Sequence, residues 1–446
     1  MSRKLFGTDG VRGVAGDLLG PELAVALGRA AVAEAAVRDG RRPQVLVVRD
    51  TRESGEMLEA ALTAGVTAAG GDVLLGGVLP TPAAPLLLGR YGFDLGVVLS
   101  ASHNPFQDNG IKFFGADGFK LSDATEAAIE ARLEGEPGPS AAIGRVRALH
   151  GTAEDYLREL QSRFAGLDLA GLDVVLDCAH GATHRVAPEI FRRLGASVTA
   201  IGASPDGRNI NAGCGSTHLD ALVRAVVDGG HALGFAFDGD GDRVLAVDRT
   251  GGVVDGDELI ALAALHLRAA GRLPGEGVAV TVMTNYGFHA AMRGAGIEVA
   301  TTQVGDRYVL EALRDRGWAL GGEQSGHIID LGFVPSGDGL ASALLTLEAL
   351  GGADLADRAA MRKLPQRLVN VPVADRDAAM RSPALADAVE REGGALEGRG
   401  RVLVRPSGTE QLVRVMVEAP TGEEADAACR RLVETVQTRS SKPLVP

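Results

Sequence analysis

Residues 94–114 read DLGVVLSASHNPFQDNGIKFF. The first eight form an apolar run of strand type, and a second apolar run begins at Ile111. Between them the chain passes through Ser100, Ser102, His103, Asn104 and Pro105. A continuous apolar run marks a strand buried on both faces, as in a parallel sheet covered by helices. Ligands of such sheets sit beyond the carboxyl ends of the strands, and Ser102 stands at such an end. Pro105 fixes the exit of the loop, Gly110 permits close backbone approach, and Lys112 returns on the second run. A serine hydroxyl acts as a nucleophile only beside a base or an activated partner. No G-x-S-x-G elbow surrounds it, so hydrolase chemistry of the α/β-hydrolase type is not expected. Taken alone, the stretch also suits a serine-capped turn with a satisfied histidine.

Outward from this stretch the rhythm is strand then helix, the alternation of an α/β layer fold. Residues 43–50 and 72–79 read as strands, with a helix over 57–70 between them. A Gly/Pro-rich break follows at 134–144. The alternation restarts with strands at 172–179, 197–203 and 232–237, helices at 187–196 and 218–230, and a hairpin over 244–254 that turns on Gly251-Gly252. A third unit opens with a helix over 257–271. It continues through strands at 277–284 and 296–304 and helices near 308–317 and 339–352. The C-terminal stretch instead alternates every second residue at 367–375, 400–408 and 412–420, with helices near 382–392 and 423–437. That pattern predicts an antiparallel sheet with one exposed face. The expected fold is α/β: three α/β domains with mixed sheets, 1–152, 153–255 and 256–365, and a smaller α+β domain, 366–446.

The chain has 446 residues, 46% apolar and 23% charged, ordinary for a globular protein and too long for one core. Its formal charge of −13 disfavours nucleic acid as a partner. An anion can still be held by local cations, a helix N-terminus or a metal. No 18-residue uncharged apolar run predicts a membrane span. The basic N-terminal residues lack an apolar segment behind them, so no secretory signal is expected. Cys178, Cys214 and Cys429 are odd in number and widely spaced, which suits small buried hydrophobes in a reducing, cytoplasmic setting.

Three further polar loops interrupt apolar strands. In FAFDGDGDRV, 235–244, Asp238, Asp240 and Asp242 alternate with glycines. Three carboxylates forced together repel unless a divalent cation sits between them, and hard oxygen ligands point to Mg²⁺, Mn²⁺ or Ca²⁺. An EF-hand is ruled down, because Arg243 and Arg249 fall where that loop needs Gly and Glu. Arg243 adds a planar cation able to bond phosphate bidentately. In GGEQSGHIID, 321–330, Glu323, Ser325 and His327 share a face if extended, which suits sugar hydroxyls or a polar strand end. In VRPSGTEQLVRV, 404–415, Arg405, Arg414, Ser407 and Thr409 surround a turn at Gly408 whose N–H groups form an anion nest.

Together these loops resemble those of the α-D-phosphohexomutases. SASHNP is similar to the family's phosphoserine loop, DGDGDR to its metal loop, GEQSGH to its sugar loop and RPSGTE to its phosphate loop, in family order. FGTDGVRG at 6–13 and VGDRYV at 304–309 are similar to the branch that interconverts the 6- and 1-phosphates of glucosamine on the way to UDP-N-acetylglucosamine. A mannose- or glucose-phosphate mutase with the same mechanism is the alternative. The resemblance implies a central cleft and a phosphoryl group carried by Ser102. Asp238, Asp240 and Asp242 would bind one Mg²⁺, with phosphorylated Ser102 as a further ligand. Arg12, Lys112 and Arg243 would surround the transferring group, and Lys112 or His327 would be the general base. Glu323 and Ser325 would hold the sugar, and Arg405, Ser407, Gly408, Thr409 and Arg414 the second phosphate. Arg307 is expected to serve the amino-sugar branch, His180 and His184 are read as structural, and Ser336 receives no role. The implied partner is a small sugar phosphate, and a homodimer would be in keeping with relatives.

Overall fold

The computed structural model describes residues 5–35, 41–135, 142–407 and 410–440. Gly408 and Thr409 of the expected phosphate loop lie outside the described residues, as do 136–141 of the expected break. Residues within Met1–Met283 and Glu298–Arg358 form one compact unit, and those within Thr284–Ile297 and Ala359–Pro446 form another.

The first unit contains three sheets, each mixed. The largest has seven strands in the order Phe6–Gly7, Gly10–Val14, Asp108–Gly115, Leu95–Leu99, Gln44–Arg49, Asp72–Val78, Val146–Ala148. Leu95–Leu99 is buried at every residue, as its unbroken apolar run predicts. It runs parallel to Gln44–Arg49, so the two chains leave the sheet side by side at one edge. Asp108–Gly115 returns antiparallel, with Lys112 opposite Val98. Helices Pro21–Glu34 and Ser54–Ala68 pack on this sheet through Leu27, Leu58, Leu62 and Val66. Their backbones approach so closely that a Cβ on Gly65 would lie 2.1 Å from the Val25 carbonyl oxygen.

The second sheet has the order Val253–Val254, Val244–Asp248, Leu233–Phe237, Asp173–Asp177, Ser197–Ile201. Leu233–Phe237 runs parallel to Asp173–Asp177 and antiparallel to Val244–Asp248, so the residues between 237 and 244 form a tight reversal at the sheet's edge. The third sheet, Glu298–Thr302, Gly277–Thr281, Leu320–Gly322, Ile328–Asp330, holds residues 323–327 in a similar reversal. Helix Gly339–Leu350 follows, capped by the Asp338 carboxylate, which accepts from the Ala341 N–H at 2.9 Å.

The second unit is a three-stranded antiparallel sheet, Gln366–Pro372, Leu412–Glu418, Arg401–Pro406, with helices Pro383–Ala395 and Gly422–Ser440. Its core is formed by Val371, Leu385, Val413, Val415, Val417 and Leu432. Helix Tyr286–Gly294 belongs to this unit too, although it lies within 256–365, the stretch expected as the third α/β domain. The reason is a buried polar knot. Glu418 is fully buried, accepts from the Tyr286 N–H at 2.7 Å and pairs with Arg401 at 2.8 Å. Asn285 bonds both backbone groups of Leu364. Among the described residues no helix is long and apolar enough to cross a membrane.

Candidate active site

Two adjacent strand ends deliver the first elements. Ser102 is 1% exposed and has φ of 53°, the left-handed region that a side chain resists. Its Oγ donates to Asp238 Oδ2 at 2.5 Å. The hydroxyl of one domain thus meets the carboxylate of another across a sequence separation of 136. His103 Nδ1 lies 3.3 Å from the same hydroxyl. Burial, then Arg243 and Arg12, push the His103 imidazole down to about 4, so it is neutral at physiological pH.

Asp238, Asp240 and Asp242 are all buried and each places an oxygen within 4.8 Å of the others. Gly239 allows the curl: a Cβ there would lie 2.6 Å from the Ser102 carbonyl oxygen. Among the described residues, Asp240 Oδ1 and Asp242 Oδ1 are buried without a hydrogen-bond partner. Two orphaned carboxylate oxygens facing a third acid are what a hard divalent cation requires. Burial, followed by repulsion from Asp242 and Asp240, drives the Asp238 carboxyl well above its usual range. Burial would raise Asp242 as well, but His327, Lys112 and Arg243 outweigh it and hold that carboxyl well below the usual range.

Cations close around the acids. Lys112 is 1% exposed, with Nζ 2.8 Å from Asp240, 3.0 Å from Asp9 and 3.7 Å from Asp242. Burial alone would lower its pKa; Asp240, Asp9 and Asp242 overcome it and hold the ammonium charged. Arg12 pairs with Asp9, and the Arg243 N–H donates to Asp238 Oδ1 at 3.1 Å. His327 lies with Nδ1 3.6 Å from Asp242 and Nε2 3.7 Å from Asp306. Burial opposes its protonation, but Asp242, Asp306 and Glu323 raise its pKa. Glu323 accepts from the Gly305 N–H at 2.9 Å, and Ser325 Oγ is 3.5 Å from its carboxylate. These groups border a cavity of about 430 Å³ lined by Thr8, Asp9, Arg12, His103, Asp242, Arg243, Asp306, Glu323 and His327.

Ser102, the three aspartates, Arg12, Lys112, Arg243, Glu323, Ser325 and His327 therefore gather in one unit. Four participants escaped the sequence reading. Asp9 joins Lys112, Arg12 and Lys120; Lys120 joins Asp306 at 2.5 Å; and Thr81 Oγ1 donates to Asp240 at 2.7 Å. Asp9 and Asp306 stand inside the FGTDGVRG and VGDRYV stretches, three positions and one position before the arginines that drew notice. Arg307 is spent elsewhere: it bonds Glu126 at 3.0 Å and pairs with Asp123, both on helix Asp123–Leu133. It ties the VGDRYV turn to the first sheet's domain and does not line the cavity.

In the second unit, Arg405 and Arg414 are direct cross-strand partners. Burial and then the Arg414 charge lower the Arg405 pKa. Ser407 is 2% exposed and its Oγ accepts from the Glu410 N–H at 3.3 Å. Arg414 Nε is buried and has no hydrogen-bond partner among the described residues. Two guanidinium groups set opposite each other repel, and an anion between them would relieve that.

Four family descriptions match in order: phosphoglucomutase/phosphomannomutase alpha/beta/alpha domain I at residues 3–138, domain II at 154–252, domain III at 255–367 and the C-terminal domain at 368–435. A phosphoglucosamine mutase of Moorella thermoacetica is 55% identical over 431 residues, 95% of this chain and 97% of its own. One of Mycolicibacterium paratuberculosis is 52% identical, covering 97% and 99%. Among solved structures, a phosphoglucomutase/phosphomannomutase family protein from Burkholderia thailandensis superposes with TM-score 0.82 at 24% identity, covering 99% of each chain. An N-acetylphosphoglucosamine mutase of Aspergillus fumigatus, in complex with GlcNAc-6P and magnesium, gives TM-score 0.70 at 19% identity, covering 99% and 96%. These two structural likenesses concern the fold.

Proposed function

The chain belongs to the phosphoglucomutase/phosphomannomutase family, and from that premise we infer that it is an isomerase interconverting glucosamine 6-phosphate and glucosamine 1-phosphate. The observation that carries a mechanism is the contact of Ser102 Oγ with Asp238 at 2.5 Å beside two orphaned carboxylate oxygens. Ser102 carries a phosphoryl group and gives it to the free hydroxyl of the bound sugar phosphate. The Oγ–P bond breaks, the substrate O–P bond forms, and the hydroxyl proton passes to a base. The resulting bisphosphate turns end for end and returns its other phosphate to Ser102.

Phosphoryl transfer spreads charge over equatorial oxygens, so catalysis is largely positioning and charge neutralisation. Asp238, Asp240 and Asp242 would hold Mg²⁺, which would supply positive charge to neutralise phosphate oxygens. Lys112, Arg12 and Arg243 supply fixed positive charge. Lys112, pinned between Asp240 and Asp9, remains an ammonium; His327 lines the cavity and is the better proton acceptor. Glu323 and Ser325 bond sugar hydroxyls. Arg405, Ser407 and Arg414, with Gly408 and Thr409 next to Ser407 in the sequence, hold the phosphate that is not transferring.

Mass spectrometry of the purified protein tests this. Ser102 should be phosphorylated, and its phosphate should exchange with that of added glucosamine 6-phosphate as the 1-phosphate forms. Isomer formation by protein whose Ser102 stays unphosphorylated throughout turnover would overturn the mechanism.

A further inference from the structure

Arg52 is among the largest fully buried side chains of the described residues, and it does not line the cavity. Its guanidinium spends its donors on the serine loop. It donates to the carbonyls of Ser102 at 3.0 Å, Asn104 at 2.9 Å and Asp108 at 2.9 Å, and to that of Pro105. Asp50, also fully buried, holds its Nε at 2.8 Å. The same carboxylate accepts from Ser100 Oγ at 2.6 Å, and Ser100 Oγ in turn accepts from the Ser102 N–H at 2.9 Å. Both backbone groups of Ser102 are therefore tied to one Asp50–Arg52 pair. From the second domain, Asn211 Nδ2 donates to the carbonyls of Ser102 at 2.9 Å and Asn104 at 3.0 Å.

We propose that Arg52, seated by Asp50 and matched from the second domain by Asn211, is the positioning residue that aims the Ser102 hydroxyl at Asp238. A left-handed serine persists only where its surroundings over-determine it, and here seven hydrogen bonds hold the loop, three of them on the Ser102 backbone. The parallel pairing of Gln44–Arg49 with Leu95–Leu99 brings the two loops together at one sheet edge. Several carbonyls converging on one point need a planar fork of donors, which Arg has and Lys lacks. The proposal rests on Ser102 as the phosphoryl carrier. A displacement of about 1 Å at such a centre costs about 10²-fold in rate.

The test compares the unsubstituted protein with Arg52→Lys and Asn211→Asp. Asn211 has φ of 58°, which Asp tolerates, so the second variant keeps the backbone and turns a donor into an acceptor. Per folded, phosphorylated enzyme, kcat should fall about 10²-fold in Arg52→Lys and about tenfold in Asn211→Asp, with KM for glucosamine 6-phosphate changed less than about threefold. Amide hydrogen exchange at Ser102 and Asn104, measured without substrate, should accelerate in both. A merely structural role would lower Tm and leave kcat per folded enzyme intact. If kcat stays within about threefold and exchange is unchanged in the variants that fold, the proposal fails; should Arg52→Lys not fold, Asn211→Asp decides alone. Loss of loop protection supports the clamp even where the unsubstituted protein shows no turnover, a result that would count against the mutase function only.

Discussion

The serine–aspartate region of the first unit and the arginine turn of the second handle charge in opposite ways. In the first, cations and anions alternate: Asp242, Lys112, Asp240, Asp9, Arg12 and Lys120 are each within ion-pair distance of an opposite charge. In the second, Arg405 and Arg414 face each other, and burial and then the Arg414 charge lower the Arg405 pKa. A nearly balanced lattice is built before substrate arrives and is suited to steering charge through a reaction. A like-charged pair whose Arg414 meets a carboxylate, that of Glu410, at 3.9 Å is suited to capturing an anion and letting it go. On the proposed mechanism the difference separates chemistry from anchoring within one protein.

The sharpest way to break this contrast is to remove groups from the balanced lattice. Ser102→Ala should abolish turnover, a loss of at least about 10⁴-fold in kcat, because it removes the hydroxyl that bonds Asp238, and Thr81, the other hydroxyl at the acids, is held on Asp240. Asp240→Asn removes a cation ligand and the closest partner of Lys112, and should cost at least about 10³-fold. In both, binding of glucosamine 6-phosphate, measured by calorimetry, should survive, since the anchoring cations are untouched. Loss of binding equal to the loss of rate would merge the two regions into one function.

Asp338 offers a control in the same unit: a buried carboxylate without a cation. It accepts from the Tyr156 hydroxyl at 3.0 Å and from the Ala341 N–H, yet burial pushes it up to about 7. Asp242, equally enclosed but ringed by His327, Lys112 and Arg243, moves the other way. The folded pKa of Asp338 lies above its unfolded value, so the protonated acid is the stable form in the native state. Stability from this group is full below about pH 4, is lost as pH rises from 4 towards 7, and changes no further above that. The span corresponds to roughly 4 kcal/mol. Asp338→Asn keeps a capping oxygen and should flatten the fall in Tm between pH 5 and pH 8. An unchanged pH profile would show that the Asp338 carboxyl is not perturbed.

How far these regions were legible depends on how local their signals are. DGDGD after an apolar strand, and SASHNP after another, pack their signal into five and six residues, so the loops that bring Ser102 to the three acids could be read directly. The strand–helix rhythm was legible for the same reason. Arg52 was not: it is one arginine in RDTRESG, and its worth comes from carbonyls 50 to 56 residues away. Lys120 joins Asp306 across 186 residues, a pairing that no local pattern announces. Arg307 sits in the VGDRYV turn, but its contact with Glu126 of helix Asp123–Leu133, 181 residues away, was not legible there. Helix Tyr286–Gly294 has ordinary α/β spacing, and only the buried Glu418 reveals the unit it joins.

The smallest expected effect sits in the arginine turn. A charge-assisted bond from a guanidinium to phosphate is worth about 1.5–3 kcal/mol, so Arg405→Ala should raise KM for glucosamine 6-phosphate roughly 10- to 100-fold. Turnover at saturation should fall far less, and a bisphosphate should still phosphorylate Ser102. Arg414 is one-third exposed, so the anchor is partly screened by solvent. KM of the unsubstituted protein should therefore rise with ionic strength, and that rise should be shallower in the variant. Stability gives an independent reading, because removing Arg405 also removes a like charge directly opposite Arg414. Its Tm should hold or rise slightly. A variant that melts much lower, with KM unchanged, would make the pair a structural element and leave the first region to bind both phosphates by itself.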